Sequence, residues 1–149
     1  MVVMLVTTLV AVGAAVAAWL RPVPPARSST PRPPTFSDQQ VADAKSKVCA
    51  AYQKIHLASV TNSGRNGGDD PNAQLLVAVN MREVFIAGTA YLQTTLAKEP
   101  ATAPELAAAA RKLADLFQVI TLDGLASDRN DPAHDAANAT GEKIERLCK

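Results

Sequence analysis

Residues 1–20 are Met, Val, Leu, Thr, Ala, Gly and Trp, with no ionisable side chain among them. As a helix rising ~1.5 Å per residue they would cover about 30 Å, the thickness of a bilayer's hydrocarbon core. After residue 36 the pattern changes to apolar positions recurring every three or four residues, the period of helices with one buried face.

The first such stripe is Val41, Ala44, Val48, Tyr52 and Ile55, with Cys49 on its flank. Ser37 and Gln40 predict a capping box at its start, with Phe36 stapled on Val41. Residues 62–70 are Asn, Ser, Gly, Arg and Asp only, the chemistry of a loop. Asp70-Pro71 predicts the start of a second helix. One face of it carries Val77, Met81, Val84, Phe85, Leu92 and Leu96; the opposite face carries Leu75, Val79, Ile86 and Ala90, interrupted mainly by Arg82 and Glu83. A helix apolar nearly all round is either enclosed by a bundle or covers a partner. Enclosure is the simpler expectation; Leu75, Val79, Ile86 and Ala90 are the candidate partner surface if it fails.

Glu99-Pro100 breaks the chain, and Thr102 with Glu105 predicts a second capping box. Leu106, Ala110, Leu113, Phe117 and Ile120 then form the seam of a third helix, ending near residues 124–127. Asp131-Pro132 predicts a cap followed by proline, and Ala133, Ala137, Thr140, Ile144 and Leu147 give the fourth seam. Gly141 within it costs ~1 kcal/mol relative to alanine, so this helix needs tertiary support. The expected fold is all-α: an N-terminal transmembrane helix, then a small antiparallel bundle of four helices, or three with a loose fourth. The alanines at 107–110 allow close backbone approach, which argues against a roomy cavity.

Composition fits helices. Aromatic residues make up 4% of the chain, and alanine is abundant. The expected organisation is a transmembrane signal anchor at 1–20, a linker at 21–36 and a helical domain at 37–149. Residues 21–36 hold six prolines, at 22, 24, 25, 31, 33 and 34, which favour an extended, solvated stalk. The spacing of Pro22 with Pro25 and Pro31 with Pro34 also fits a P-x-x-P ligand, though a spacer explains the composition alone. A cleaved signal peptide competes with the anchor, because Ala15-Val16-Ala17 suits a cleavage site; the run continues to Trp19 and Leu20, which favours the anchor.

Charge bears on orientation and on partners. Arg21, Arg27 and Arg32 follow the apolar run and alone would hold the domain in the cytoplasm. The run opens without a basic leader, as it would if the start lay upstream, and the cysteines point the other way. Taking those three arginines from the fifteen basic residues leaves twelve against fourteen acidic ones. A domain near neutral, about −2, is a poor partner for nucleic acid.

The two cysteines, Cys49 and Cys148, lie on the first and last helices, which are neighbours in an up-and-down bundle. A structural disulfide is the favoured reading; buried free thiols and a redox pair are the alternatives. Their separation lacks the paired spacing of a zinc site. His56 is seven residues beyond Cys49, about 10 Å along a helix, too far for a nucleophile pair. His56 and His134 are therefore expected at the surface. Asp128, Asn130, Asp131 and Asp135 lack the glycine and closing glutamate of a calcium loop and read as helix-cap chemistry. Asp43 with Lys47 and Glu142 with Arg146 are spaced as i,i+4 ion pairs.

The apolar first segment, the proline-rich stalk, the run Ala44-Lys45-Ser46-Lys47-Val48-Cys49-Ala50-Ala51-Tyr52 and the closing Arg146-Leu147-Cys148-Lys149 together resemble a group of small mycobacterial membrane proteins rich in alanine and proline. The resemblance implies a single-pass protein whose two cysteines bracket an exported helical domain. It carries no catalytic residues.

These readings predict a membrane-anchored cell-envelope protein with a non-catalytic domain, no cofactor and no metal, whose partners are the membrane and another envelope protein. The alternative is a small-ligand or lipid-binding module using space lined by Met81, Phe85 and Phe117. An enzyme is not expected, since no nucleophile, base and orienting group stand at usable spacing.

Overall fold

Four helices follow the periodic stripes, and a computed structural model describes residues 34–128 and 130–149 of the chain. The apolar run at 1–20 and the linker up to residue 33 lie outside the described residues. No strand occurs among the described residues.

Helix α1 is Asp38–Ser63, and its capping box is complete: Ser37 Oγ accepts from the Gln40 N–H at 3.2 Å, and Gln40 Oε1 accepts from the Ser37 N–H at 2.8 Å. Helix α2 is Pro71–Lys98, capped by Asp70, which accepts from the Asn72 N–H at 2.9 Å. Helix α3, Pro104–Leu125, corrects the second expected box. Its N-cap is Ala103 without a side-chain bond, and Thr102 instead donates to the Glu99 carbonyl at 2.7 Å. Pro104, with φ already set for a first turn, starts the helix two residues after Thr102, beyond reach of that hydroxyl. Helix α4, Asp131–Cys148, is capped one residue earlier than expected: Asn130 Oδ1 accepts from the Ala133 N–H at 3.0 Å, and Asp131 is already in the helix.

Contacts join α1 to α2, α2 to α3 and α3 to α4, with α1 meeting α4 more sparsely. Residue pairs give the sense of each contact. Lys47 near the start of α1 bridges Glu99 just after α2, at 2.7 Å. Phe85 stacks on Phe117 with centroids 4.8 Å apart, and Thr89 Oγ1 donates to the Ala114 carbonyl at 3.1 Å, so α2 and α3 run in opposite directions. Asn130 Nδ2 donates to Asp123 at 2.6 Å and Lys143 bridges Glu105 at 2.9 Å, which does the same for α3 and α4. Lys47 therefore pairs with Glu99 and not with Asp43, which accepts instead from Gln39 at 2.7 Å. The better-shielded Glu99 carboxylate draws the lysine away from its own helix. Arg146 and Glu142 do pair, at 3.8 Å.

The tightest packing is at one end of the bundle. Val48, Leu92 and Ile144 are fully buried there, among Leu96, Leu106 and the alanines at 107, 109 and 110. Burying each of the three large side chains stabilises the fold by roughly 1.5–3 kcal/mol. Cys49 and Cys148 are joined by a disulfide, with Cα atoms 5.7 Å apart, which ties α4 to α1 at this end. At Gly88 an added Cβ would come within 2.9 Å of Ile55 Cγ2, so the absent side chain lets α1 and α2 meet closely.

The other end is different, and it corrects the expectation that α2 is enclosed. Only Gly88, Thr89, Leu92 and Leu96 of α2 are buried. Leu75 and Leu76 near its start are 64% and 60% exposed. Because adjacent helices alternate in direction, the start of α2 lies beside the ends of α1 and α3, where Leu57, Val60, Leu122 and Leu125 are exposed as well.

Candidate functional site

α1 and α4 touch at the disulfide and part beyond it. Next to the disulfide Tyr52 of α1 lies across Gly141 of α4, and its hydroxyl donates to Glu145 Oε1 at 3.0 Å. Burial, and secondarily the Glu145 carboxylate, hold this phenol well above its ordinary pKa. His56 stacks on the Tyr52 ring with centroids 5.8 Å apart and stands 3.9 Å from Glu145. Past this contact the two helices bound a cleft of about 510 Å³.

Each wall is one stripe of a helix. α1 presents Tyr52, Ile55, His56, Ser59, Val60 and Ser63, and α4 presents His134, Ala137, Asn138, Gly141, Glu142 and Glu145. The spacing within both sets is three or four, which keeps them on one face. Met81 and Phe85 of α2 with Leu113, Phe117 and Ile120 of α3 form the floor. This cleft overturns the argument against a cavity from the alanine-rich seam. Alanines 107, 109 and 110 do pack tightly, at the disulfide end. At the other end α4 is held on α3 by Asn130 and Asp123, while beyond Gly141, which the Tyr52 ring covers, its face toward α1 carries the small Ala137, which leaves the gap unfilled.

Ser59 Oγ is the one buried side-chain oxygen or nitrogen among the described residues without a hydrogen-bond partner. Leaving such a group unpaired costs about 1–3 kcal/mol. His56 and His134 are exposed, as expected, and both border the cleft mouth. Ser59, His56 and Glu145 are gathered without forming a nucleophile relay, because the serine hydroxyl bonds to neither partner. The backbone N–H groups of both walls belong to helix interiors, where they are committed to the helix. What the cleft offers is an apolar floor with polar side chains along both walls. Among the described residues no cluster of His, Cys, Asp or Glu is arranged to hold a metal ion.

A second groove, about 720 Å³, lies between α1 and α2 and is bordered by Lys54, Arg65, Glu83 and Tyr91. Lys54 stands over the Tyr91 ring at 5.9 Å.

Of the candidate partner surface, Leu75 and Ile86 are exposed at 64% and 55%, Ala90 is exposed and Val79 is half-buried. Sequence reasoning did not include Leu76, Leu57, Leu122 and Leu125, which extend the apolar area at the same end. Each lies off its own helix's seam, and that pattern was the available signal. α2 is the one described helix long and apolar enough to cross a membrane, with mean hydropathy 1.4 over a window only 17% buried. Arg82 and Glu83 sit in the middle of that run, and the helix packs on both α1 and α3. No family model, curated protein or solved structure matches the chain.

Proposed function

We propose that the chain is a membrane-anchored, non-catalytic domain of the cell envelope, held outside the cytoplasm, that binds another envelope protein through the exposed apolar face of α2. The observation that carries this reading is the exposure of Leu75, Leu76 and Ile86 on a helix whose composition calls for burial. A contiguous exposed apolar area on a small domain marks an interaction surface. Among the described residues, the other helices leave Leu75, Leu76 and Ile86 more than half exposed. The apolar run at 1–20 would supply the anchor and the prolines at 21–36 the reach. The Cys49–Cys148 disulfide suits an oxidising compartment on the far side of that membrane.

The test is a photoreactive phenylalanine analogue placed at position 86 of the full chain in its own membranes. One protein adduct of discrete mass, lost on Leu75→Glu, is the expected result. Adducts with lipid alone, or equal adducts from a control probe at exposed Gln118, would overturn it.

A further inference from the structure

The α1–α4 cleft has properties that a protein-docking face does not need. It is concave, and about 510 Å³ lies within the ~300–1,000 Å³ of small-molecule sites. Its floor is the stacked pair Phe85 and Phe117 with Met81 beside them, so an occupant would reach the core itself. One wall holds the unpartnered Ser59 hydroxyl. The groove between α1 and α2 is larger, yet no unpartnered buried group lies among its lining residues.

The mouth decides the chemistry of the occupant's head. Its formal charges are the carboxylates Glu142 and Glu145, and no lysine or arginine lines the cleft. A fatty-acid carboxylate or a phosphate seated there would meet like charge with no lysine or arginine to offset it and only the imidazoles of His56 and His134 beside it. An uncharged hydroxyl meets no such penalty: it can accept from Ser59 once that side chain turns its buried Oγ–H into the cleft, and donate to a carboxylate or to the Asn138 amide oxygen.

We infer that the cleft between α1 and α4 is a binding site for an uncharged single-chain amphiphile, with its alkyl chain on the Phe85–Phe117 floor and its hydroxyl head at Ser59. The site is separate from the apolar face of α2 and stands whether or not that face binds a protein.

The experiment uses the full chain in phosphatidylcholine nanodiscs at pH 8, where an ordinary imidazole is neutral. It compares two probes of equal chain length that carry a diazirine, hexadecanol and hexadecanoate, with labelled positions read by peptide mass spectrometry. The alcohol should label the cleft peptides around Met81, Phe85 and Phe117 saturably and be displaced by unlabelled hexadecanol. The acid should label them at least about tenfold less, the effect of an uncompensated like charge. Ser59→Ala should weaken labelling about threefold, the worth of one neutral hydrogen bond. Ala137→Phe, which fills the cleft, should abolish it. Because Ala137 is buried, Ser63→Trp at the exposed rim serves as a second block that does not touch the core. Equal labelling by acid and alcohol, label spread along Leu75 and Ile86, or labelling unchanged by both blocking variants would overturn the proposal.

Discussion

A methyl group at position 141 would stand 3.0 Å from the Tyr52 hydroxyl, so Gly141 is the seat on which α4 receives the Tyr52 ring. The same hydroxyl donates to Glu145 one turn further on. A helix-interior glycine costs ~1 kcal/mol relative to alanine, and here that cost is offset by a contact between two helices that meet sparsely. Gly141→Ala is therefore expected to be near neutral by itself, gaining propensity and losing the contact. In a Tyr52→Phe background, with the hydroxyl gone, the same substitution should stabilise by about 1 kcal/mol. A urea double-mutant cycle reads the difference as a coupling of about 0.5–1.5 kcal/mol. Strict additivity would mean that the ring does not rest on Gly141.

The same tyrosine makes the fold sensitive to alkali. Its phenol is raised in the folded chain, first by burial and then by the Glu145 hydrogen bond. The unfolded phenol titrates at about 10. Below that pH both states keep the proton and the contribution is complete. Above it the unfolded chain releases its proton first, and stability falls as pH rises. Lys47, raised chiefly by its hydrogen bond to Glu99, acts in the same direction. A Tyr91→Phe protein leaves Tyr52 as the one phenol of the chain's two. Its phenolate absorbance should appear only well above pH 10 and together with loss of helical dichroism. Ionisation near 10 in a chain still helical would show a solvated ring.

The disulfide spans 99 residues. Closing a loop of that length stabilises by up to ~4.7 kcal/mol in the chain-entropy description, and native disulfides of small domains contribute about 2–5 kcal/mol. Reduction, or Cys49→Ser, should lower stability by that amount in urea. α4 should lose amide protection first, because it holds α1 so sparsely elsewhere. Intact mass of thiol-blocked protein from its own membranes should show no added blocking groups until reduction, and two afterwards. Two blocked thiols before reduction would place the domain in a reducing compartment.

What was legible in the sequence was local. The Ser37–Gln40 box could be read because both of its bonds span three residues. The similar pattern at Thr102 and Glu105 misled, since it is silent on which residue starts the helix, and Pro104 decided that. The burial of α2 was not legible. Hydropathy measures what Leu75 and Leu76 lose in water, and not whether a neighbouring helix reaches them. Of the cleft, three floor residues were legible, since Met81, Phe85 and Phe117 were the expected lining of a ligand space, while its α1 and α4 walls were hidden for a related reason. Small residues at 107, 109 and 110 close a seam and Gly141 takes the Tyr52 ring, while Ala137 leaves a gap, because α4 is fixed against α3 and does not follow its small face toward α1.

Ser127 ends α3 with φ at 58°, a left-handed conformation held by a non-glycine residue. It stands just past the cap residue Ala126, and the next N–H, that of Asp128, donates to the Asp123 carbonyl at 2.9 Å. That bond is the longer of the two in a Schellman ending, whose left-handed position favours glycine. A side chain there costs roughly 1–2 kcal/mol, and glycine gives back about 0.4–1 kcal/mol through a freer unfolded chain. Ser127→Gly should accordingly stabilise by about 0.5–1 kcal/mol, while Ser127→Val, β-branched, should destabilise by at least about 1 kcal/mol. Urea midpoints at constant slope would measure both. A loss with glycine would mean that the serine side chain, rather than the backbone bond to Asp123, fixes the turn that leads α3 into α4 and so positions one wall of the cleft.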